Sequence, residues 1–512
     1  MNEARLLHFG TPVSVLTGTI TYSATGGTAT GYLKSPDPSV GGFYPLAVNG
    51  EPDGMILDGE YDGGTSFGFI STAASDPDDG TFSTDPTLTM NVTGIISGVT
   101  LIFGNGEGCA VTVQFYNGGT LLGTKTATAT GRVLFVSGAG GITKVVVTFN
   151  RTLIPGTRVK VARLFPGEIH EFDSTEITSC DATKECNLGG IELPAGTLTA
   201  TIASDAPAKF KYRELLLAFW GDRLIGHFFV DKVKRIGAGL YSVTAVDALG
   251  VLATTPFDGQ YIAADTDIQD VVEALATSSF STWVDHIRIL EIRGLITATN
   301  RRDALLQAGI AACLWGAARP PYNGIYPPPI TLAAEISFDD VVDVLDPTNA
   351  NYETVDLDPD EIYDSVDFSE DVVVTSLEIT SHAISTSATG NIQIGNARYN
   401  DTMTANTYTV SSAGAGLPNE KKIGDAPTII TGKRDQLSLV DDVNVIGAAV
   451  ADYLKKQKRI IITAANKFID LGCRLRATID GVTYTAAVEK INYRFGSSIM
   501  AATYTAVVIK EA

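Results

Sequence analysis

The chain is poor in the residues on which most catalytic and nucleic-acid chemistry depends. Its 512 residues include only five cysteines, five histidines and three tryptophans, and 37 lysines and arginines face 58 aspartates and glutamates. The formal net charge of −21 argues against binding nucleic acid through its phosphates, because that affinity comes from Lys and Arg displacing counterions. A negative charge also keeps a self-assembling protein soluble before it meets its partners.

The cysteines are too scattered to form a disulfide framework or a zinc site. Only Cys180 and Cys186 are close, and no histidine or second cysteine pair stands beside them. The others are Cys109, Cys313 and Cys473. We therefore expect free buried thiols and no metal site of this kind.

No targeting or membrane segment is apparent in the sequence. No charged-then-apolar segment opens it, and no apolar run reaches the ~18 residues that a transmembrane helix needs. We expect synthesis in a cytoplasm, so the sequons at Asn91 and Asn150 carry little meaning.

Motifs of the common hydrolases are missing. The histidines are isolated, with none in an H-x-x-x-H or H-x-x-E-H spacing, and no G-x-S-x-G elbow occurs. Counting alone does not exclude a glycosidase pair, since an acidic chain brings many carboxylates together by chance. We predict that the protein is not an enzyme and has no catalytic, cofactor-binding or metal-binding residues. The five histidines are His8, His170, His227, His286 and His382.

What the sequence does contain is a pattern of short strands. Fifty-one glycines and 44% hydrophobic residues favour a β-rich protein of several domains. Residues 1–54 are Gly, Thr, Ser and Pro rich and predict an extended arm or a few edge strands. Residues 55–166 predict a jelly-roll-like β-sandwich: Val111, Val113 and Phe115 point one way, and Asn117–Gly119 makes a turn.

A hairpin is predicted between Gly226 and Leu252. His227, Phe229 and Asp231 alternate with their neighbours, the period of two expected of a strand buried on one face. The segment RIGAG then supplies the turn before the return strand.

From residue 256 to 345 the sequence pattern changes to include helical spacing of apolar residues, and a small α/β domain is predicted there. Asp265–Ser279 has helical spacing, and a second helix is expected to start at Asn300, with Asp303 at its third position. Its small-residue face should pack closely on a sheet; the residues are Ala304, Leu305, Ala308 and Ala312.

Residues 346–512 predict a second β domain. Val372–Ser385 is an expected strand, Gly390–Gly432 an irregular β region and Val443–Lys456 a helix. Four strands follow, with Asp480–Gly481 as a type I′ turn.

Four segments together resemble the hub proteins of bacteriophage tail tips and baseplates. Phe172–Ile202 and Phe228–Leu252 are similar to the first hub domain of that family, which ends in a hairpin followed by an "a.D..glL" segment. Leu295–Pro320 resembles the family's helix, and Ala448–Ser498 resembles its C-terminal helix and strands. The segment order in residues 55–166 is also similar to carbohydrate-binding-like sandwiches found in some of these hubs.

The resemblance implies a mainly β chain with an α+β insertion. A jelly-roll-like sandwich (55–166) would precede two tail-tube-like β-barrel hub domains, residues 167–255 and 346–512, with the small α/β domain (256–345) between them. It implies a homotrimer in the virion whose partners are the tail tube, distal tail and tape-measure proteins. Genome DNA would pass only transiently through its channel.

The sequence offers three weak candidates for ligand sites. Asp76-Pro77-Asp78-Asp79-Gly80 has closely spaced carboxylates suited to calcium, although a solvated turn fits it as well. The acidic stretch Asp339–Asp371 is either a solvated surface or, in a hub, a channel lining that repels phosphates. Host glycans would need exposed aromatic platforms. The candidate aromatics are Tyr61, Phe67, Phe69, Phe82 and Tyr116.

Other functions stay open at this stage. The distal tail ring protein combines similar modules, although the helical insertion favours the hub. A carbohydrate-binding adhesin would use the sandwich to contact the host surface, and a tail-associated lysin would need catalytic residues that no motif indicates.

Overall fold

Most of the described chain forms β-strands, as the alternating apolar residues predict. The computed structural model describes residues 4–12, 20–30, 68–96, 98–103, 108–130, 132–138, 140–167, 169–203, 210–221, 223–277, 280–285, 291–319, 334–350, 352–370, 374–410, 420–423, 439–456, 458–465, 468–495 and 500–512. The chain divides into two compact units. Unit 1 consists of Met1–Asp173, Pro207–Gly226 and Pro321–Ala333, and unit 2 of Ser174–Ala206, His227–Pro320 and Ala334–Ala512.

Short strands and tight turns succeed one another along the chain. The first strands are β1 (Ala4–Pro12), β2 (Ile20–Thr25), β3 (Gly27–Thr30), β4 (Gly68–Ser71), β5 (Thr87–Ile96), β6 (Gly98–Phe103), β7 (Gly108–Asn117), β8 (Thr120–Thr130), β9 (Arg132–Val136), β10 (Ile142–Thr152), β11 (Lys160–Pro166), β12 (Ile169–Phe172), β13 (Ile177–Glu185), β14 (Thr197–Ala203), β15 (Glu214–Trp220), β16 (Arg223–Gly237) and β17 (Leu240–Val246).

Among the described residues, the helices follow β17. The later elements are α1 (Ala248–Ala253), β18 (Gln260–Asp267), α2 (Ile268–Ala276), β19 (Ser281–Asp285), β20 (Glu291–Ile296), α3 (Arg301–Ala312), β21 (Leu314–Arg319), β22 (Glu335–Asp340), α4 (Val341–Leu345), β23 (Thr354–Leu357), a 3-10 turn (Pro359–Glu361), β24 (Ile362–Glu370), β25 (Ser376–Thr386), β26 (Ile392–Ile394), β27 (Ala397–Thr409), β28 (Glu420–Ile423), α5 (Leu439–Lys455), β29 (Lys458–Ala465), β30 (Arg474–Ile479), β31 (Val482–Phe495) and β32 (Met500–Glu511). Among the described residues, no helix has the length and apolar character needed to cross a membrane.

Two five-stranded sheets in unit 1 enclose one apolar core. Their strand orders are β2-β5-β10-β7-β8 and β3-β4-β11-β6-β9. Alternate residues of β7 point into the core, so Val111, Val113 and Phe115 are buried as predicted. Phe149 of one sheet stacks on Phe69 of the other, with ring centroids 5.2 Å apart. The strands of this region therefore pack as a two-layered sandwich.

The segment before residue 55 supplies outer strands to these sheets. β2 pairs with β5, and β3 pairs with β4. β1 instead pairs with β12 on one side and β15 on the other. The rest of the predicted arm, residues 1–3, 13–19 and 31–54, lies outside the described residues.

Strand β13 joins the two halves of unit 2. It pairs antiparallel with β14 on one edge and with β31 on the other. The hydrogen-bonded order through unit 2 is β16-β17-β14-β13-β31-β32-β29-β24, with β30 on β31 and β23 on β30. At Thr183 and Asn492 this pairing connects residues 309 positions apart.

None of the sheets formed by the described residues closes on itself. Because β31 pairs with the second edge of β13, strands of both predicted hub domains belong to one sheet. The layout of two β-barrel domains stays a prediction. The division of the chain at residues 54, 166, 255 and 345 stays a prediction.

The hairpin of β16 and β17 forms where the sequence predicts it. Ala238 and Gly239 make its loop, with Gly239 at φ +69°. The prediction that only one face is buried is wrong from His227 to Val230, where each residue is at most 4% exposed. Phe229 packs edge-on against Phe280 with ring centroids 5.6 Å apart. A strand covered on both faces loses the alternation in burial that a half-exposed strand has.

The second helix predicted for the α/β region begins at the expected Asn300 cap, and the first begins at Asp267, a cap that was not predicted. The Asp267 side chain accepts from the Gln269 N–H at 2.7 Å at the start of α2, which is shorter than the predicted 265–279. The Asn300 side chain accepts from the Asp303 N–H at 2.9 Å at the start of α3. The small-residue face of α3 is buried as predicted and packs against β20 and β21.

The end of the chain follows its sequence pattern. Asp480 and Gly481 connect β30 and β31 with φ angles of +50° and +82°, both positive as a type I′ turn requires. Helix α5 begins at Leu439, before the predicted start at 443. Part of the predicted irregular region forms a sheet of order β26-β27-β25-β28.

A buried carboxylate fixes the junction between β17 and α1. Asp247 caps α1 by accepting from the Gly250 N–H at 2.9 Å, and it also accepts from the Gly196 N–H at 2.5 Å. Burial raises the pKa of Asp247 to about 6, against the opposing effect of these hydrogen bonds. A Cβ at Gly196 would lie 2.7 Å from Asp247 Oδ2, so this close approach requires glycine. Asp247 is the acidic residue of the "a.D..glL" segment.

We predict that ionisation of Asp247 destabilises unit 2 as the pH rises from about 4 to above 6. Below pH ~4 the carboxyl is protonated in both the folded and unfolded states. At intermediate pH only the unfolded chain releases the proton, so the free energy of unfolding falls by about 3 kcal/mol. Asp247→Asn removes this loss, and urea unfolding at about pH 4 and about pH 7 measures it.

The matched control is Asp231→Asn, at an exposed position of the same hairpin. The free energy of unfolding of this variant should change with pH by the same amount as that of the wild type. Parallel profiles for Asp247→Asn and the wild type would show that the Asp247 carboxyl does not ionise in this range.

Candidate assembly edge and ligand sites

The loop from Asp76 to Gly80 uses its carboxylates to hold its own turns. Asp76 Oδ1 accepts from the Asp78 N–H at 2.8 Å, and Asp79 Oδ1 accepts from the N–H and hydroxyl of Thr81 at 2.9 and 2.7 Å. The Thr81 hydrogen bonds lower the pKa of Asp79. Within the described ranges, no group of three or more His, Cys, Asp or Glu side chains is placed to hold a metal ion. The geometry is that of Asx turns, and calcium binding here stays a prediction.

The candidate sugar platform is not assembled by the described aromatic residues. Phe69 is 3% exposed, and Phe82 packs against the same core. Tyr116 is half-buried, with Lys144 Nζ 4.9 Å from its ring centroid. The candidates outside the described residues are Tyr61 and Phe67. The most exposed large apolar residues in the described part of the sandwich are aliphatic: Leu121, Val136, Leu153 and Ile154.

A buried arginine anchors the first half of the acidic stretch Asp339–Asp371. Arg474 is 2% exposed and donates to the backbone carbonyls of Asn349, at 2.6 Å, and Asp346. It also donates to the carbonyls of residues 343 and 344 at 3.3 and 3.5 Å. Its guanidinium lies 5.1 Å from the centroid of the Tyr352 ring. Burial lowers the pKa of Arg474, and the carbonyl oxygens stabilise its charge.

Most of the described carboxylates in the second half of the acidic stretch are exposed. Asp356 accepts two hydrogen bonds from Arg476, at 2.5 and 2.7 Å, and both side chains are more than half exposed. Asp358 begins the 3-10 turn at Pro359–Glu361 in a capping box. This half is therefore a solvated carboxylate surface in the isolated chain, and its placement on a channel wall stays a prediction.

We predict that Arg474→Met lowers the free energy of unfolding by about 3 kcal/mol, because four buried or partly buried backbone carbonyls lose a charged donor. Arg476→Met is the matched control, since its partner Asp356 is exposed and water replaces the lost donor. Thermal and urea unfolding measure both variants. If the unfolding midpoint of Arg474→Met differs from that of the wild type by no more than the midpoint of Arg476→Met does, Arg474 does not anchor the stretch.

Strand β24 is the outer strand of the unit 2 sheet. It pairs with β29, and no described strand pairs with its other edge. The register shifts between Tyr363 and Asp367, an irregularity of the kind that limits uncontrolled edge pairing. Tyr363 and Phe368 are 46% and 41% exposed. The strand thus presents unpaired backbone and aromatic area at one edge.

A lysine and the buried ring of Tyr484 lie beside this edge. Lys458 Nζ lies 4.7 Å from the ring centroids of both Phe368 and Tyr484, and it donates to Glu511 at 3.0 Å. The hydrogen bond to Glu511 raises the pKa of Lys458, which holds its positive charge beside the rings. We call Tyr363, Phe368, Lys458 and Tyr484 the β24 edge patch.

Helix α5 is fixed to this sheet by a buried polar network. Glu489 accepts from the Tyr453 hydroxyl at 2.6 Å and from Arg459 Nε at 3.0 Å. Arg459 also donates to the Tyr453 oxygen at 3.3 Å, as Asn187 does at 3.4 Å. Burial raises the pKa of Glu489, but its partners satisfy both carboxylate oxygens. The network is structural.

Strand pairing brings together histidines that look isolated in the sequence. His8 and His170 face each other across β1 and β12 with ring centroids 6.0 Å apart, and His8 Nε2 lies 2.8 Å from Glu214 Oε2. His382 Nδ1 lies 2.6 Å from Asp401 Oδ2. Sequence spacing contains no signal for these pairs, since they depend on register between distant strands.

Four of the five cysteines are buried, and Cys473 is partly buried. None of the five forms a disulfide within the described residues. Burial raises the pKa of Cys180 and Cys186, and raises that of Cys109 to about 12. Thiols with raised pKa values are protonated at neutral pH and are poor nucleophiles.

No protein-family model matches the sequence, and no curated protein matches it. Among solved structures, it is similar to the tail protein from Neisseria meningitidis MC58, at 10% identity over 66% of this chain and 94% of that chain, with a TM-score of 0.43. It is similar to the 43 kDa tail protein of prophage MuSo2 from Shewanella oneidensis, at 9% identity over 67% and 96% of the two chains, with a TM-score of 0.42.

A third similar structure is a component of the type VI secretion system of E. coli, described as similar to the T4 bacteriophage tail proteins gp27 and gp5. The identity is 8% over 65% of this chain and 73% of that chain, with a TM-score of 0.40. TM-scores of this size do not establish a common fold.

Proposed function

We propose that this chain is a structural protein of a phage virion, the hub of the tail tip or baseplate that closes the tail tube and forms part of the DNA exit channel. The proposal is supported by the hub-like segments Phe172–Ile202 and Phe228–Leu252. Their strands β13, β14, β16 and β17 belong to one sheet that also includes the hub-like C-terminal strands.

The observation that carries the proposal is the outer edge of that sheet. An unpaired strand edge with exposed aromatic side chains is a surface on which another chain can add. A closed ring of identical copies satisfies every such edge at once. We propose a homotrimer in which the β24 edge patch contacts the neighbouring copy.

The remaining partners follow from this role. The tail tube, distal tail and tape-measure proteins would contact the ring in the virion. Genome DNA would pass only transiently, because a net charge of −21 repels phosphates. The sandwich would serve either as a spacer or as a module for host surface glycans, and no catalytic role is proposed.

We predict a species near 162 kDa for the purified full-length protein, three times the 54.0 kDa mass of one chain. Mass photometry at two concentrations measures it. A species of twice that size would indicate the distal tail ring instead. A chain that stays monomeric at both concentrations would contradict the homotrimer and favour an adhesin, which glycan-array binding by the full-length protein would then test.

We also predict that Phe368→Asp raises the protein concentration needed for assembly at least about tenfold, because it replaces the exposed aromatic ring at the core of the contact with a hydrated carboxylate. The matched control is Ile236→Asp, which changes an apolar residue of similar exposure in β16. Equal dissociation of both variants would show that the β24 edge patch is not the contact.

A further inference from the structure

Three hydrogen-bond donors share one face of the sheet formed by β21 and β22. Trp315, Ala317 and Arg319 alternate on β21, so their side chains lie on the same face. Ser337 of β22 is the register partner of Ala317. Since facing residues in a strand pair are about 5 Å apart, Ser337 lies between Trp315 and Arg319.

All three side chains hold polar atoms without partners. Trp315 Nε1, Arg319 Nε and Ser337 Oγ are buried and have no hydrogen-bond partner among the described residues. Trp315 is 1% exposed and Ser337 is 6% exposed. Folded proteins satisfy nearly all such groups, because a buried donor that has lost water is costly. Three unsatisfied donors on one face indicate that a ligand completes this site.

Arg319 forms no ion pair with a carboxylate of the described residues. Its guanidinium lies 4.9 Å from the Trp315 ring centroid. Its register partner Glu335 is half-buried: burial raises the pKa of that carboxyl, and the charge of Arg319 acts in the opposite direction. On the same face, Asp339 accepts from the Tyr352 hydroxyl at 2.8 Å. Neither acid accepts a hydrogen bond from the guanidinium.

The loop before β30 forms the opposite wall. Gly472 has φ +78°, and a Cβ there would lie 2.4 Å from the Trp315 ring and 3.2 Å from Arg319 Nη2. Glycine thus allows the loop to close over the indole without displacing the guanidinium. Arg319 itself is only partly buried, so its outer side remains open to a ligand.

The chemical class of the ligand follows from the hydrogen-bond donors on this face. Arginine and tryptophan only donate hydrogen bonds, and a serine hydroxyl donates readily, so the face offers hydrogens to lone pairs and no ligand set for a cation. A carboxylate or phosphate accepts from a guanidinium and from further donors with its remaining lone pairs. We propose that the face formed by Trp315, Arg319 and Ser337 binds an oxyanion, either a free small anion or a carboxylate of a neighbouring chain.

The test uses the full-length protein labelled with ¹⁵N in tryptophan. The chain has three tryptophans, so the indole N–H spectrum contains three signals, which Trp220→Phe and Trp283→Phe assign. Sodium acetate and inorganic phosphate are titrated against sodium chloride at equal ionic strength. We expect the Trp315 signal to shift saturably with acetate or phosphate but not with chloride, while the Trp220 and Trp283 signals stay in place.

Two variants separate binding from general electrostatics. Arg319→Gln should weaken the affinity read from the Trp315 signal at least about tenfold, since the charged bidentate donor is lost. Arg494→Gln, at a side chain 84% exposed, should leave it unchanged. Equal weakening by both variants would overturn the proposal.

Protein concentration distinguishes the two sources of the anion. A shift of the Trp315 signal that follows assembly without added anion would assign the ligand to a neighbouring chain's carboxylate. Saturation by acetate or phosphate in the monomer would assign it to a free anion. A Trp315 signal that responds to neither, or that moves equally in chloride, would show that this face binds no oxyanion.

Discussion

The pairing of β13 on both of its edges is the constraint on which unit 2 depends. One edge pairs with the nearby β14, and the other pairs with β31. Side chains reinforce this seam: Thr183 donates to Asn492 at 2.9 Å, Lys490 lies 2.9 Å from Glu185, and Arg494 donates to Asp181 at 3.0 Å. The outer pairs are exposed, so they favour the register and contribute little stability. The buried alternate residues hold the seam.

Two sets of polar groups inside unit 2 contrast with each other. Glu489, Tyr453 and Arg459 satisfy one another. These three groups fix one arrangement of helix and sheet, since any other packing would leave them unpartnered. The face with Trp315 is the opposite case, because its donors have no acceptors within the described chain. That contrast, more than the presence of charge, separates a structural network from a site for another molecule.

Features set by local sequence were predictable, and features set by distant contacts were not. The Asn300 cap and the Asp480–Gly481 turn depend on a few adjacent residues, and both form as expected. The pairing of β13 with β31 was not predicted, because it depends on a contact between residues about 300 positions apart. The donor face was missed for a related reason. Trp315 and Arg319 have an ordinary spacing, and only the register of β22 brings Ser337 between them.

The separation of β13 from β31 also determines the order in which the chain folds during its synthesis. The last strand of the sandwich, β11, is complete at Pro166, so those sheets can form while most of unit 2 is still to be translated. β13 leaves the ribosome about 300 residues before β31, which at ~5–20 residues per second is a wait of roughly 15–60 s. For that time one edge of β13 lacks its native partner and is free to pair with another nascent chain. Slow translation and crowded polysomes thus increase the risk that unit 2 mispairs with another chain. The sandwich does not share this risk, because its strands are close together in sequence.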